Sequence, residues 1–282
     1  MTSRMEAKRV AVERGGVRVL DAIDCELRAG ELLAVIGPNG AGKSTFLGAM
    51  AGDLPLAEGE VLLDGVALAR HSSSELAKKR AVLPQQSSLD FPLTVEEVIT
   101  LGRTPHGTPL ATDRTITAHL LKMLALEPLA TRPYPRCSGG EQRRTQLGRV
   151  LAQLMPLGDE AKFLLLDEPT ASLDPARALE LLEIARKLTE RGVGVMAILH
   201  DPNLVSGMAD RVLVLERGKM AALGAPREVL TKELFADVFD LHVERLEHEN
   251  LDYPVFVPLK GTTPMDFEHR LFFTPTTREE RK

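Results

Sequence analysis

The sequence predicts an α/β fold with a mainly parallel central sheet, an antiparallel β element near the N-terminus and an inserted helical subdomain. Apolar runs without polar alternation indicate strands that are covered on both faces, as in parallel sheets. Such runs occupy residues 32–36, 163–166 and 193–199. Helical spacing between the runs would supply the crossover connections that parallel strands need. We therefore expect an open sheet with a ligand site at the ends of its strands.

The first predicted element is a strand pair. Residues 10–27 contain short β-type runs on either side of Gly15-Gly16, which is typical of strand–turn–strand. Two strands joined by so short a turn run antiparallel. Further short strands are predicted at 61–63 and 81–83, between the first apolar run and the helical part of the chain.

Residues 86–157 are predicted to form a mainly helical insertion. Thr94 is typical of a helix N-cap because acidic residues follow it in the first turn. Helical spacing covers residues 115–126, and a long amphipathic stretch begins at Ser138. The α/β core resumes at Lys162.

The last third of the chain is predicted to return to the α/β pattern. Helices are expected at 175–188 and 226–239, with a hairpin beginning in the strand at 212–215. The chain after residue 250 contains four prolines and ends in charged residues, which favours an extended arm with a frayed end. We therefore assign residues 1–250 to one domain and 251–282 to a C-terminal tail.

Composition excludes several classes of protein. The 282 residues are 44% hydrophobic and 27% charged, as in soluble globular proteins. A net charge of −5 argues against a protein that mainly neutralises nucleic-acid phosphates. No apolar run is long enough for a membrane span, and residues 1–8 do not introduce a secretory signal. Cys25 and Cys137 form neither a disulfide framework nor a zinc pattern, which favours a reducing cytosolic environment.

A glycine-rich loop lies between the first apolar run and a predicted helix. Its sequence fits the Walker A pattern in full, and reads Gly37-Pro38-Asn39-Gly40-Ala41-Gly42-Lys43-Ser44-Thr45. Glycines let backbone N–H groups point at phosphate oxygens, and the helix N-terminus attracts the same anion. Lys43 can reach the β- and γ-phosphates, and the Ser44 hydroxyl can ligate Mg²⁺. The loop therefore predicts binding of a nucleoside triphosphate with Mg²⁺.

Two acidic residues follow the apolar run at 163–166. Asp167 is placed to hold Mg²⁺, directly or through water. Glu168 can orient or deprotonate the attacking water. The alternative is a simple acidic turn after a strand, which the Walker A loop in the same chain disfavours.

Six motifs of the chain, which follow one another in the order of the family, resemble those of the ATP-binding subunit of ABC transporters. The fold of that family is a P-loop NTPase core with a helical insertion. Walker A and the 163–168 Walker B segment are two of the motifs. The other four are Gln85 as the Q-loop glutamine, Ser138-Gly139-Gly140-Glu141-Gln142 as the signature, Ser172-Leu173-Asp174 as the D-loop, and His200 as the switch histidine. The resemblance covers about residues 8–240, and the signature followed by residues 165–170 is highly specific.

The resemblance implies a homodimer that holds ATP between its two chains. The signature residues Ser138, Gly139, Gly140 and Glu141 would face the ATP of the partner subunit, and Asp174 would lie at the junction. Gln85 would contact Mg²⁺ and the attacking water, and His200 would contact the γ-phosphate. The implied catalytic residues are Glu168, His200 and Gln85, and the implied metal ligands are Ser44, Gln85 and Asp167. The alternatives are a solvated amide for Gln85, with Gln86 beside it, and a backbone-bonded strand-end histidine for His200.

Two positions depart from the pattern of the family. Cys137 stands where the signature usually opens with leucine, and a small thiol can pack there. The aromatic residue that often stacks on adenine is missing, and Val12 lies near that position. We therefore expect adenine to meet an aliphatic surface.

The segment 91–106 resembles importers of ferric siderophores, cobalamin and haem. Residues 83–92, 154–160 and 248–258 resemble the ATPases of haemin importers in particular. This implies a peripheral subunit on the cytoplasmic side of the inner membrane, with two transmembrane permease subunits, a periplasmic haemin-binding protein and no nucleic acid as partners. The alternatives are a ferric-siderophore or cobalamin importer, or a soluble ABC-type ATPase in iron–sulfur cluster assembly.

Other polar residues are interpreted without a special function. His106, His242 and His248 are expected to be surface histidines and not haem ligands, since they lack a metal-ligand spacing. The basic runs Lys78-Lys79-Arg80 and Arg143-Arg144 are expected to be solvated helix faces.

Overall fold

The computed structural model describes residues 2–85, 91–158, 160–171 and 173–260. Its strands are β1 (Arg4–Arg14), β2 (Val17–Arg28), β3 (Leu32–Ile36), β4 (Glu58–Leu63), β5 (Val66–Ala67), β6 (Arg80–Leu83), β7 (Lys162–Leu166), β8 (Val193–Ile198), β9 (Arg211–Glu216), β10 (Lys219–Gly224), β11 (Val243–Leu246) and β12 (Val255–Pro258). Its helices are α1 (Lys43–Ala51), α2 (Ser73–Lys79), α3 (Val95–Leu101), α4 (Leu110–Met123), α5 (Gly139–Leu154), α6 (Pro175–Thr189), α7 (Pro202–Met208), α8 (Pro226–Val229) and α9 (Lys232–Phe239). Short 3₁₀ turns lie at Leu68–Arg70, Thr104–His106, Glu127–Leu129 and Tyr134–Arg136.

A six-stranded sheet forms the centre of the molecule, in the order β10-β9-β3-β8-β7-β6. All neighbours in it are parallel except β9 and β10, which form the predicted hairpin. Strands β3 and β8 are buried at every residue, as expected for strands covered on both faces. The expectation of a mainly parallel sheet is confirmed.

A second sheet packs near the first and is antiparallel, in the order β2-β1-β4-β5. Its first two strands are the predicted pair around Gly15-Gly16. The inward side chains of this sheet share an apolar core with one face of the central sheet and with α1, including Leu20, Phe46 and Phe163. A separate core on the opposite face joins the central sheet to the helical insertion and the C-terminal helices.

The described part of the predicted helical insertion contains α3, α4 and α5; residues 86–90 lie outside the described residues. Thr94 is the N-cap of α3, as predicted. Helix α4 begins at Leu110 and ends at Met123, earlier than the predicted 115–126. The early end has a local cause, because Ala125 adopts a left-handed φ of 52° that an α-helix cannot contain.

The C-terminal part of the described chain differs most from the prediction. The expected single helix over 226–239 is two helices, because the Thr231 hydroxyl accepts from the Leu234 N–H and starts α9 anew. Helices α2 and α7 and the hairpin of β11 and β12 were not predicted. The hairpin is antiparallel and buries Phe256 against Phe235, with ring centroids 5.0 Å apart. The division of the chain at residue 250 stays a prediction.

Among residues 2–85, 91–158, 160–171 and 173–260, no helix is both long and apolar enough to cross a membrane.

Candidate functional site

Four parallel strands end side by side at one edge of the central sheet. The register pairs Val35 with Ile198, Leu166 with Ala197, and Leu83 with Leu166, so the ends of β3, β8, β7 and β6 are level. The segments that follow these strands carry the phosphate loop, His200, the two carboxylates and Gln85. The fold therefore brings together motifs that lie more than 160 residues apart in the sequence.

The phosphate loop is wedged between β9 and β2, and two glycines make that possible. A Cβ atom on Gly37 would collide with the Leu215 carbonyl oxygen. At Gly42, φ is 98° and a Cβ would lie 2.7 Å from Leu20 Cδ2. Gly40 faces open space, with no atom within 4 Å of its would-be Cβ. One side of the loop is therefore packed against strands, and the other side is free to receive a ligand.

Helix α1 begins directly after the loop without a side-chain cap. Gly42 is its N-cap, and its first turn contains no acidic residue. Backbone N–H groups at such a helix start attract an anion. The Lys43 ammonium is also held at the loop, donating to the carbonyl oxygens of Gly37 at 2.8 Å and Pro38 at 2.9 Å. Burial lowers the pKa of Lys43, and the nearby carboxylates of Glu168 and Asp167 oppose this shift.

The first carboxylate, that of Asp167, contacts Ser44 in the first turn of α1. Ser44 Oγ donates to Asp167 Oδ1 at 3.1 Å. Burial raises the pKa of Asp167, and the bond from Ser44 partly offsets the rise. The Asp167 N–H donates to the Leu83 carbonyl oxygen at 2.8 Å, which continues the pairing of β7 with β6. Two oxygen groups of the kind that Mg²⁺ prefers are thus adjacent beside the phosphate loop.

The second carboxylate joins the other two predicted catalytic side chains. Glu168 Oε2 accepts from Gln85 Nε2, and Glu168 Oε1 lies opposite His200 Nε2, both at 2.8 Å. Gln85 and His200 are both exposed, so their side chains are solvated as well as in contact with Glu168, and their catalytic roles stay predictions. Gln86 lies outside the described residues. Glu168 itself has a left-handed φ of 46°, which is uncommon for a residue with a side chain.

The signature residues lie in a different part of the surface. Ser138 caps α5, and its N–H donates to Glu141 Oε2 at 2.7 Å in a capping box. A cavity of about 290 Å³ is lined by Ser138, Gly140 and Glu141 together with Asp174. Asp174 caps α6 by accepting from the Arg177 N–H at 3.0 Å. The signature and Asp174 therefore share one surface, while Ser172 lies outside the described residues.

Two expectations about single residues have different outcomes. Cys137 is 8% exposed and part of the apolar core, so the thiol packs where the family usually has leucine. Burial raises its pKa, which keeps it a neutral thiol. The expectation that Val12 offers adenine an aliphatic surface is wrong. Val12 is 1% exposed because it points from β1 into the core between the two sheets.

The expectation that the basic runs are solvated helix faces is wrong for Arg80 and Arg143. Arg80 begins β6 and is half-buried, with its charge near Asp53. Arg143 turns inward from α5 and donates to main-chain carbonyls beside the site. Sequence reasoning missed it because an arginine pair after the signature carries no sign of which side chain turns inward.

In the part of the chain that the structure describes, no group of three His, Cys, Asp or Glu residues is arranged to hold a metal ion. His106 Nε2 lies 2.7 Å from the Gln153 carbonyl oxygen, and burial lowers its pKa.

Comparisons with known proteins agree with this geometry. The family described as "ABC transporter" matches residues 20–171. The chain is 46% identical over 264 residues to the "Hemin import ATP-binding protein HmuV" of Myxococcus xanthus (strain DK1622), covering 93% of this chain and 98% of that protein. It is also 46% identical over 253 residues to the protein of the same name from Pseudomonas fluorescens (strain Pf-5), covering 90% and 99% of the two chains. The solved dimeric structure of the ATP-binding cassette MJ0796, bound to ADP and Pi after hydrolysis, matches with a TM-score of 0.69 and 26% identity, covering 79% of this chain and 99% of that one.

Proposed function

Because this chain belongs to the ABC transporter family of ATP-binding proteins, we propose that it is the ATP-hydrolysing subunit of a haemin importer. The observation that carries the ATPase function is the contact of Glu168 with Gln85 and His200 beside the phosphate loop. The relatives named for hemin import, which match about nine-tenths of the chain, support haemin as the cargo.

The phosphate loop and α1 fit a nucleoside triphosphate. The helix start lacks a side-chain cap, and Lys43 lies at the same mouth of the loop with its charge toward the site. We propose that residues 37–45 surround the phosphates with backbone N–H groups. Lys43 would leave the carbonyl oxygens of Gly37 and Pro38 to bind the outer phosphates.

The residues present also fit Mg²⁺. Ser44 and Asp167 would hold the ion, with Gln85 at its edge, and nucleotide oxygens and water would complete its six ligands. When bound, the ion would neutralise charge that develops on the phosphates. Ser44 bonds to Oδ1 of Asp167, and Oδ2 would serve as a further ligand of the ion.

Hydrolysis would depend on three side chains at the strand edge. Glu168 would accept the proton of the attacking water, since its carboxylate lies between the amide of Gln85 and the ring of His200. Gln85 would position that water, and His200 would donate to the γ-phosphate. Both side chains must leave Glu168 in part for this to happen, so binding of ATP would rearrange the three contacts.

A second copy of the chain would complete each site. The signature residues 138–141 and Asp174 share a surface cavity that is separate from the contacts of Glu168. Placing that surface against the phosphate loop of a partner would surround the nucleotide from both sides, so we propose that this chain acts as a dimer. The dimeric cassette bound to ADP and Pi supports this arrangement.

The remaining partners follow from import as a process. The ATPase dimer would bind two transmembrane permease subunits from the cytoplasmic side of the inner membrane, and a periplasmic protein would deliver haemin to that permease. In this scheme the chain is the peripheral subunit of the complex.

Reconstitution tests the cargo and the ATPase together. The chain would be placed with its permease in liposomes, and ATP hydrolysis and uptake would be measured with haemin, cobalamin and a ferric siderophore. We expect haemin alone to be taken up and to stimulate hydrolysis, and a Glu168→Gln complex to do neither. Uptake of cobalamin or the siderophore in place of haemin would reject the cargo. Hydrolysis without any permease response would favour a soluble ATPase.

A further inference from the structure

Arg143 connects two loops of the site through main-chain carbonyl oxygens. Its Nη1 donates to Pro84 at 2.7 Å and Gln85 at 3.1 Å, and its Nη2 donates to Asp167 and Glu168 at 2.8 Å each. Its Nε reaches the Pro169 carbonyl oxygen at 3.4 Å. The planar guanidinium thus bridges the segment after β6 and the segment after β7.

These acceptors include the carbonyl oxygens of Gln85 and Glu168, the two residues whose side chains contact each other in the site. Two carbonyls on either side of Glu168 converge on one nitrogen, and this is possible because Glu168 has a left-handed φ of 46°. The contact of Gln85 Nε2 with Glu168 Oε2 then spans two loops that Arg143 holds at a set distance. A strained backbone of this kind persists only where surrounding contacts determine it.

Arg143 is also part of the signature helix. It follows the cap residue Ser138 by five positions on α5, with no break in the helix between them. Desolvation lowers the pKa of its guanidinium, and the negative charges of Asp167 and Glu168 oppose that shift. A movement of α5 therefore reaches the backbone of Gln85 and Glu168 through one side chain.

We propose that Arg143 is a positioning residue for hydrolysis, which sets the separation of Gln85 and Glu168 and links it to the placement of the signature helix. This inference rests on the proposed roles of Gln85 and Glu168. Arg143 touches neither the nucleotide nor the attacking water in this scheme; it acts through the two backbone segments. A shift of about 1 Å in such groups can lower a rate by about 100-fold.

The test compares Arg143→Lys and Arg143→Gln with the wild type in the full chain. Neither replacement can bridge both loops, because lysine has one donor atom and glutamine one short amide. We expect kcat for ATP to fall by about 10- to 100-fold in both, with KM, the affinity for a fluorescent ATP analogue and Tm close to wild type. Arg149→Gln is the matched control, since Arg149 lies half-buried on the same helix and its guanidinium bonds to Gln146 of that helix.

Three outcomes would overturn the proposal. The first is an unchanged kcat in Arg143→Lys and Arg143→Gln. The second is a fall in kcat that is matched by equal losses of ATP affinity and Tm, which would indicate a structural role only. The third is rapid turnover in Glu168→Gln, which would reject the role of Glu168 as well. If Glu168→Gln is inactive while Arg143→Lys and Arg143→Gln are both fully active, the positioning role alone is rejected.

Discussion

Two aspartates of the protein differ in how their charge affects stability. Burial raises the pKa of Asp167 above its ordinary value, while the hydrogen bonds from Thr108 and Arg103 lower the pKa of Asp113 on α4. For Asp167 the charged form is therefore disfavoured in the folded state, and stability decreases as the pH rises through its pKa. For Asp113 the sign is opposite, and its contribution is lost as the pH falls through its lowered pKa.

The first prediction uses this difference in sign. Asp167→Asn should raise the free energy of unfolding of the free protein by about 1 kcal/mol at pH 7, because the amide keeps an acceptor for Ser44 without the buried charge. The gain should shrink as the pH falls through the pKa of Asp167. Urea denaturation at several pH values measures it, and the Mg²⁺-dependent ATPase should be lost in the same protein.

Asp113→Asn is the control, and it should lower the free energy of unfolding at pH 7. Its carboxylate accepts from Arg103 at 2.8 Å, and Arg103 is 2% exposed, so the change weakens the partner of a buried charge. A loss of stability in Asp167→Asn would contradict the assignment of a disfavoured charge.

The sequence could predict those site residues that directly follow a strand of the parallel sheet. Asp167, Glu168 and His200 follow apolar strands, and parallel strands carry such residues to one edge of the sheet. Arg143 and Val12 could not be placed in this way. Their positions depend on which face of α5 or β1 turns inward, and a bulge in β1 shifts that register near Val12.

Helix starts provide a common feature at the scale of elements. Capping boxes begin α2, α3 and α5, pairing Ser72 with Glu75, Thr94 with Glu97, and Ser138 with Glu141. In each box the bond from the cap residue's N–H lowers the pKa of the glutamate. The boxes therefore stabilise the fold above the ordinary glutamate pKa and lose this effect as the pH falls through the lowered values.

The second prediction concerns the box at α3. Thr94→Ala should lower the free energy of unfolding by about 1 kcal/mol, because the Glu97 N–H loses its acceptor at the start of the helix. Urea denaturation at pH 7 checks the size of the loss. Thr115→Ala is the matched control inside α4, where alanine has the better helix propensity and no loss is expected.

The long buried strands and the capped helices could be predicted because their patterns are local. Strands β3 and β8 carry no polar side chain, β7 carries only Lys162 at its start, and α3 and α5 have clear caps. Helix α7 was missed although Asp201 caps it and Pro202 begins it, because the signal is short. The β11–β12 hairpin was missed since its pairing depends on contacts with α7 and α9 that no short pattern encodes.

The protein is expected to act as a dimer of two identical chains. Glu168→Gln should lower ATP turnover by at least about 100-fold while leaving ATP and Mg²⁺ bound, since the amide cannot accept the proton of water. The bound nucleotide would then hold two chains together, and sedimentation should show a dimer with ATP and Mg²⁺. The wild type should return to monomer as it hydrolyses its ATP.

Glu127→Gln, on an exposed 3₁₀ turn, makes the same chemical change away from the site and should behave as wild type. A Glu168→Gln protein that stays monomeric with ATP and Mg²⁺, also with its permease, would reject the dimeric scheme.

The C-terminal hairpin has a consequence for the order in which the protein is made. Asn203, three residues after His200, exchanges two hydrogen bonds with the backbone of Phe256, and Ser206 donates to the Pro254 carbonyl oxygen. On the ribosome, Asn203 of α7 therefore emerges 53 residues before Phe256, to which it bonds. Each nascent chain passes through a stage in which both Walker segments have been translated while the anchor of this helix is still missing. Biosynthesis thus completes the contacts of α7, which follows His200, late in translation.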